Sequence, residues 1–305
     1  MSRRVIAMLA SIAVVALGPT TEALAQQASG GTGVLLLAHG GSAAWNDNVK
    51  TIASAVERTM PVEVAFGMAT RANIQLAIDR LVARRVARIV AVPLFVSSYS
   101  SVITSTEYLL GLRTDMPAAL PRFAAMSHGH AAQHQADKPS AEIDGTTPVQ
   151  SPVPLSMTGA LDAHPVVSAI VLSRASGISS SPEGEAVVLV AHGPVDDASN
   201  VRWLATLEAV AKEVRRAGYQ SVDAVTVRDD APPAIKDQAT AALRLLVQRR
   251  AKEGRVLVVP VLLSFGGIED GIRKRLAGLE FSMSSQALAP DSRLVSWVLE
   301  MARSK

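Results

Sequence analysis

One short pattern constrains this chain more than any other: an aliphatic run that stops on Ala-His-Gly. It occurs twice, as GVLLLAHGG at residues 33–41 and as AVVLVAHG at residues 186–193. Unbroken runs of Val, Leu and Ala fit strands covered on both faces, which means a parallel sheet with helices above and below. A histidine at the tip of such a strand needs a reason, and a second one at a matching place needs the same reason.

The flanking segments support this reading. Helical stretches follow each tip at Trp45–Arg58 and Ala198–Arg216, with Asn48-Val49 and Asn200-Val201 taken as counterparts near their starts. Strand-like VEVAFGMA (62–69) and VDAVTVRD (222–229) come next, then helical Ile74–Arg84 and Ala234–Lys252. Third strands RIVAVPLFV (88–96) and RVLVVPVLL (255–263) each carry one proline, Pro93 and Pro260. Further helices open near Val102 and Ile268, and fourth strands are expected at 153–161 and 281–288. Strands alternating with amphipathic helices predict an α/β fold of βαβ units. The expectation is two tandem domains, 31–175 and 186–305, each a four-stranded parallel sheet with helices on both faces. A Ser/Gly/Pro-rich linker at 176–185 joins them. Pro93 to Leu161 spans 68 residues and Pro260 to Leu288 only 28, so the first half carries about 40 extra. These fall in a polar, aperiodic insertion at about 121–152, read as a mobile loop.

Residues 1–25 read as a leader. MSRR is basic, Val5–Leu17 is apolar, and Ala23-Leu24-Ala25 fits a cleavage site. Export to the periplasm is expected, with cleavage after Ala25 and no membrane attachment afterwards; the alternative is an uncleaved membrane anchor. Cysteine is absent, which fits an oxidising compartment and leaves imidazole and oxygen as the metal ligands available. A net charge of +3 with 4% aromatic residues gives no nucleic-acid surface. The oligomeric state is open.

Parallel α/β sheets bind ligands beyond the carboxyl ends of their strands. His39 and His192 are expected at that edge, each followed by glycine: Gly40-Gly41 in one tip, Gly193 in the other. Imidazole can ligate a divalent metal and can accept a proton near neutral pH, so both histidines are candidate metal ligands and bases. The alternative for each is a satisfied histidine that caps a strand. Gly266 and Gly267 precede a helix whose later Arg273 suggests an anion site. His128, His130 and His134 form H-x-H-x3-H in the insertion, a candidate low-affinity metal loop. His164-Pro165 is expected to open a helix capped by Asp162.

The aliphatic strand ending in Ala-His-Gly, the AVPLFVSS third strand and the ALDAHPVV segment resemble the class II tetrapyrrole chelatases of the CbiX/SirB type. The resemblance runs once per half and is better in the first. It implies insertion of Co²⁺, Fe²⁺ or Ni²⁺ into a sirohydrochlorin-like tetrapyrrole, without a nucleotide. The metal-handling base is then His39, with His192 its counterpart. The family's second histidine, shortly after the third strand, falls near Ser101 and Ile268 here. Ser97, Ser98, Tyr99 and Glu269 are the polar groups left nearby. The family's glutamate after the second strand falls near Met68 in one half and near Arg228 and Asp229 in the other. Two functions are therefore carried forward: a chelatase, or an exported metal- or tetrapyrrole-binding protein on the same fold. A purely structural tandem domain is the third reading.

Overall fold

The computed structural model describes residues 30–131 and 144–305. In the first half, β1 (Thr32–Ala38), β2 (Val62–Phe66), β3 (Arg88–Pro93) and β4 (Leu155–Met157) form a sheet of order β2-β1-β3-β4. In the second, β5 (Glu185–Ala191), β6 (Ser221–Thr226), β7 (Arg255–Val261) and β8 (Ser282–Met283) form one of order β6-β5-β7-β8. All pairings are parallel. The helices are α1 (Ala43–Glu57), α2 (Arg71–Ala83), α3 (Ser101–Leu109), α4 (Leu120–Ala131) and α5 (Pro165–Ser176) in the first half. The second half carries α6 (Asp197–Arg215), α7 (Pro233–Ala251), α8 (Ile268–Arg275) and α9 (Ser292–Arg303). Among the described residues, no helix is long and apolar enough to cross a membrane.

The period-two alternation of each central strand sorts its residues between two cores. Val34, Leu36 and Ala38 of β1 face inward, as do Val187, Leu189 and Ala191 of β5. Their neighbours Leu35 and Leu37 pack outward against α2, while Val188 and Val190 face the core beneath α7. The inward core is shared. It takes α1 and α6, and also the last helix of each half, through Val167, Ile170 and Val171 of α5 and Leu294, Trp297 and Val298 of α9.

Those last helices are exchanged. Helix α5, from the first half, lies on β7 and α6 of the second; α9 lies on β1, β3 and α1 of the first. A division of the sequence at residues 175–186 therefore does not divide the packing. Asp291 clasps the two exchanged helices. Its carboxylate is 3.2 Å from Arg174 of α5 and accepts from the Arg293 side chain at 2.7 and 2.8 Å. Arg293 in turn donates to the carbonyl of Ala169 on α5 at 2.8 Å.

Several expectations are corrected. The fourth strands shrink to three and two residues, and the stretch read as a loop begins as helix α4. His128 and His130 fall in that helix, and His134 lies outside the described residues. The Asn48-Val49 and Asn200-Val201 correspondence fails: Val49 is fully buried whereas Val201 is 67% exposed. Helix α6 has an added first turn, and its buried series Trp203, Leu207, Val210, Ala211, Val214 matches Trp45, Val49, Ile52, Ala53, Val56 in spacing. The His164 side chain itself caps α5, its Nδ1 accepting from Val166 N at 3.2 Å. Asp162 is engaged elsewhere.

The bonds from Arg293 outweigh burial and, with Arg174, hold the Asp291 carboxyl below the usual range. A depressed folded pKa gives stability that is full above the ordinary aspartate value and lost as pH falls through the folded one. Asp291→Asn is expected to lower unfolding stability by about 1–3 kcal/mol at pH 7, because it removes the counter-charge of the largely buried Arg174 guanidinium. In urea titrations this deficit should shrink as pH is lowered below about 3.8.

Candidate metal-handling site at the strand tips

Strand order puts both Ala-His-Gly tips at the carboxyl edges of the sheets. In the sheet β2-β1-β3-β4 the chain leaves β1 toward β2 on one side and later returns to β3 on the other. Beyond their carboxyl ends β1 runs on into α1 on the inward face and β3 into α3, whose Leu109 joins the outer core, so the connections diverge and a crevice opens there. His39 follows β1 there, and residues 94–100 follow β3. His192 and residues 262–267 hold the matching places in the second sheet.

The local geometry presents the His39 ring outward. Gly40 has φ +82°, which bends the chain away from the strand and favours glycine. Gly193 has φ +76°, and a Cβ there would lie 2.5 Å from Thr226 Cβ, so glycine is required on both counts. Asn46 pins the turn: Gly41 N donates to its Oδ1 at 2.9 Å, and its Nδ2 donates back to Gly41 O at 3.3 Å. His39 is exposed, and its Nδ1 lies 2.7 Å from Gly40 O. A carbonyl oxygen only accepts, so Nδ1 carries the proton in this contact. The Nε2 lone pair is then left free for a metal or a proton.

His192 is differently placed. It is about a quarter exposed, with Nε2 3.6 Å from an Asp230 carboxylate oxygen. Arg228 N donates to its carbonyl, and the buried Arg228 side chain ties down Pro194, Val195 and Asp197. Arg228 is thus committed to holding the His192 turn, and Asp229 to Arg275 and Lys236. Among the described residues, no three His, Cys, Asp or Glu side chains gather as a metal site.

The β3–α3 loop is braced from both halves. Ser98 N and Oγ donate to the two Asp162 oxygens at 2.8 and 2.6 Å, while Ser97 Oγ accepts from Tyr99 N at 3.1 Å. Trp203 Nε1, from the second half, donates to Tyr99 O at 2.6 Å. The reverse contact also exists. Asn48 donates to Ser264 Oγ at 2.8 Å, and Trp45 lies against Gly266. Ser101, near which the resemblance predicts a second histidine, begins α3 and is exposed. Met68 packs partly buried against the outer core.

A groove of about 580 Å³ opens beside this loop, lined by Ser98, Tyr99, Thr104, Glu107, Arg113 and Thr158 among others. A smaller one of about 250 Å³ lies between the halves, lined in part by Asn48, Arg174, Phe265 and Gln286. Neither histidine tip lines these two grooves. The anion site expected at Gly266-Gly267 is filled by the chain's own carboxylate: Glu269 accepts from both amides, at 3.1 and 3.0 Å. Arg273 projects from α8 as an exposed side chain. Sequence reasoning gave Asp162 a cap's role instead of its bonds to Ser98, and missed Asn46 and the contacts of the two tryptophans. A Trp in the early turns of the helix after each tip was the available signal for the last pair.

The tautomer is directly measurable. Long-range ¹H–¹⁵N spectra of the neutral ring are expected to show His39 protonated at Nδ1 and bare at Nε2; the opposite pattern would remove the ligand geometry.

Residues 33–177 match the CbiX family model. SirB from Bacillus subtilis, solved with Fe³⁺, aligns at TM-score 0.58 and 15% identity, over 90% of this chain and 95% of that one. The sirohydrochlorin chelatase SirB from Bacillus subtilis subspecies spizizenii, in complex with cobalt, aligns at 0.55 and 13%, over 90% and 94%. DR2241 from Deinococcus radiodurans, a multi-domain protein with structural similarity to chelatases, aligns at 0.53 and 18%, over 90% of this chain and 55% of that one. No curated protein matches the chain by sequence. At these identities the structural likeness is one of fold.

Proposed function

We propose that this chain, whose residues 33–177 match the CbiX family model, acts as a chelatase of that type and inserts a divalent metal into a sirohydrochlorin-like tetrapyrrole, with His39 as metal ligand and proton acceptor. One observation carries the reading: an exposed imidazole at the β1/β3 crevice whose Nδ1 is engaged by Gly40 O, leaving Nε2 unused. Insertion requires M²⁺ to replace two pyrrole N–H protons. His39 Nε2 first holds the metal and guides it to the ring. Once the metal passes to the pyrrole nitrogens, the same lone pair is free to accept one proton, and the other leaves to water. Positioned proton transfer of this kind contributes about 10²–10⁴-fold. His192, with Asp230 beside it, is a second acceptor of lesser weight. Co²⁺ and Fe²⁺ are the metals proposed, and the leader at residues 1–25 supports a periplasmic setting.

A second reading has its own support. Ser101 stands where the family carries its second histidine, so the first sheet edge offers one imidazole rather than two. An exported binding protein for metal or tetrapyrrole, without turnover, fits that thinner ligand set.

Metal insertion into sirohydrochlorin, followed anaerobically by absorbance with protein at sub-stoichiometric amounts, separates the two. Multiple turnovers above the spontaneous rate are expected. His39→Ala should lose about a hundredfold or more, and His192→Ala less than tenfold. Stoichiometric binding with no acceleration would establish the carrier instead.

A further inference from the structure

The groove beside the β3–α3 loop has most of its polar groups already committed. Glu107 and Arg113 face one another at 3.9 Å, and Arg113 also pairs with Asp115 at 2.6 Å. The Ser98 hydroxyl is bound to Asp162, Thr104 Oγ1 donates to Ser101 O at 3.2 Å, and Thr158 Oγ1 to Gly159 O at 3.0 Å. Glu107 and Asp115 thus share one cation, and among the described residues the unpaired cation beside the groove comes from the other half of the chain. Arg202 of α6 places its guanidinium 5.3 Å from the centroid of the Tyr99 ring, and Tyr99 lines the groove.

An aromatic face attracts a guanidinium without using its N–H donors, so the fork stays available for a carboxylate. Arg202 is exposed, and among the described residues no acidic side chain pairs with it. Its mount is firm, because the adjacent Trp203 donates its indole N–H to Tyr99 O at 2.6 Å. Two neighbouring residues of one helix thus grip one residue of the opposite loop, one through its backbone and one over its ring.

We infer that Arg202, carried over Tyr99 at the rim of the groove, binds a carboxylate arm of the macrocycle, so that the second half supplies a specificity determinant for chemistry centred on the first. This rests on the chelatase reading. It adds that one carboxylate arm of that ring is read bidentately at this point. The loop that carries Tyr99 follows β3, and His39 follows its neighbour β1, so both lie along one edge of the first sheet.

Fluorescence or absorbance titration of the purified protein with sirohydrochlorin tests this. Wild type, Arg202→Ala and Arg202→Lys would be compared at low and high salt, with melting temperatures measured alongside. Arg202→Ala is expected to weaken binding about tenfold or more, and Arg202→Lys by less, because it keeps the charge and loses the fork. Wild-type affinity should fall more steeply with salt than that of Arg202→Ala. If the alanine variant binds within about twofold of wild type, the inference is overturned. That holds equally if only its melting temperature drops, which would make the contact a tie between halves. Failure of the wild-type protein to bind sirohydrochlorin would overturn the functional reading and this inference together, a pattern distinct from equal binding by all three proteins.

Discussion

The structure depends on one packing event, the exchange of the last helix of each half onto the other sheet. Helices α5 and α9 enter a single core that also holds α1, α6 and the inner faces of both sheets. Neither half can keep its own inner face dry without a helix from the other, since burial of that apolar area is the main favourable term in folding. The Asp291 clasp lies at the crossing and fixes the two helices against each other. The two sheet edges are consequently locked in one arrangement, rather than hinged across a linker.

That rigidity reaches the site. The loop after β3 is held by Trp203 from the opposite half, and the loop after β7 contacts Trp45 and Asn48 from the first. Each edge is thus completed by the other half's helix. A metal-transfer site benefits from such a mount, because the ligand atom must stand still while a macrocycle approaches. At His39 the fixing elements are all local: a left-handed glycine, the Asn46 pin, and the Gly40 carbonyl that sets the tautomer.

Much of this was legible in the residues. Unbroken aliphatic strands identified parallel sheets, and the Ala-His-Gly tips marked their carboxyl edge before any coordinates. What escaped were relations between distant parts of the chain. Nothing local to Pro165–Ser176 says which sheet it covers, because its apolar face suits either. Asp162 read as a helix cap, since Asp before His-Pro commonly is one. Only the fold brings it against Ser98, leaving the cap to His164. The Asn-Val match between helices misled because a dipeptide identity carries less information than a buried series. The spacing of Trp203, Leu207 and Val210 was the better guide to register. Gly266-Gly267 pointed to an anion site, and the anion turned out to be Glu269, two residues on.

The ligand atom itself can be located. An anomalous difference map from crystals of the protein exposed to Co²⁺ should place the metal about 2.1 Å from His39 Nε2, at the β1/β3 crevice. Cobalt bound elsewhere, with the His39 ring bare and still turned to Gly40 O, would contradict the account.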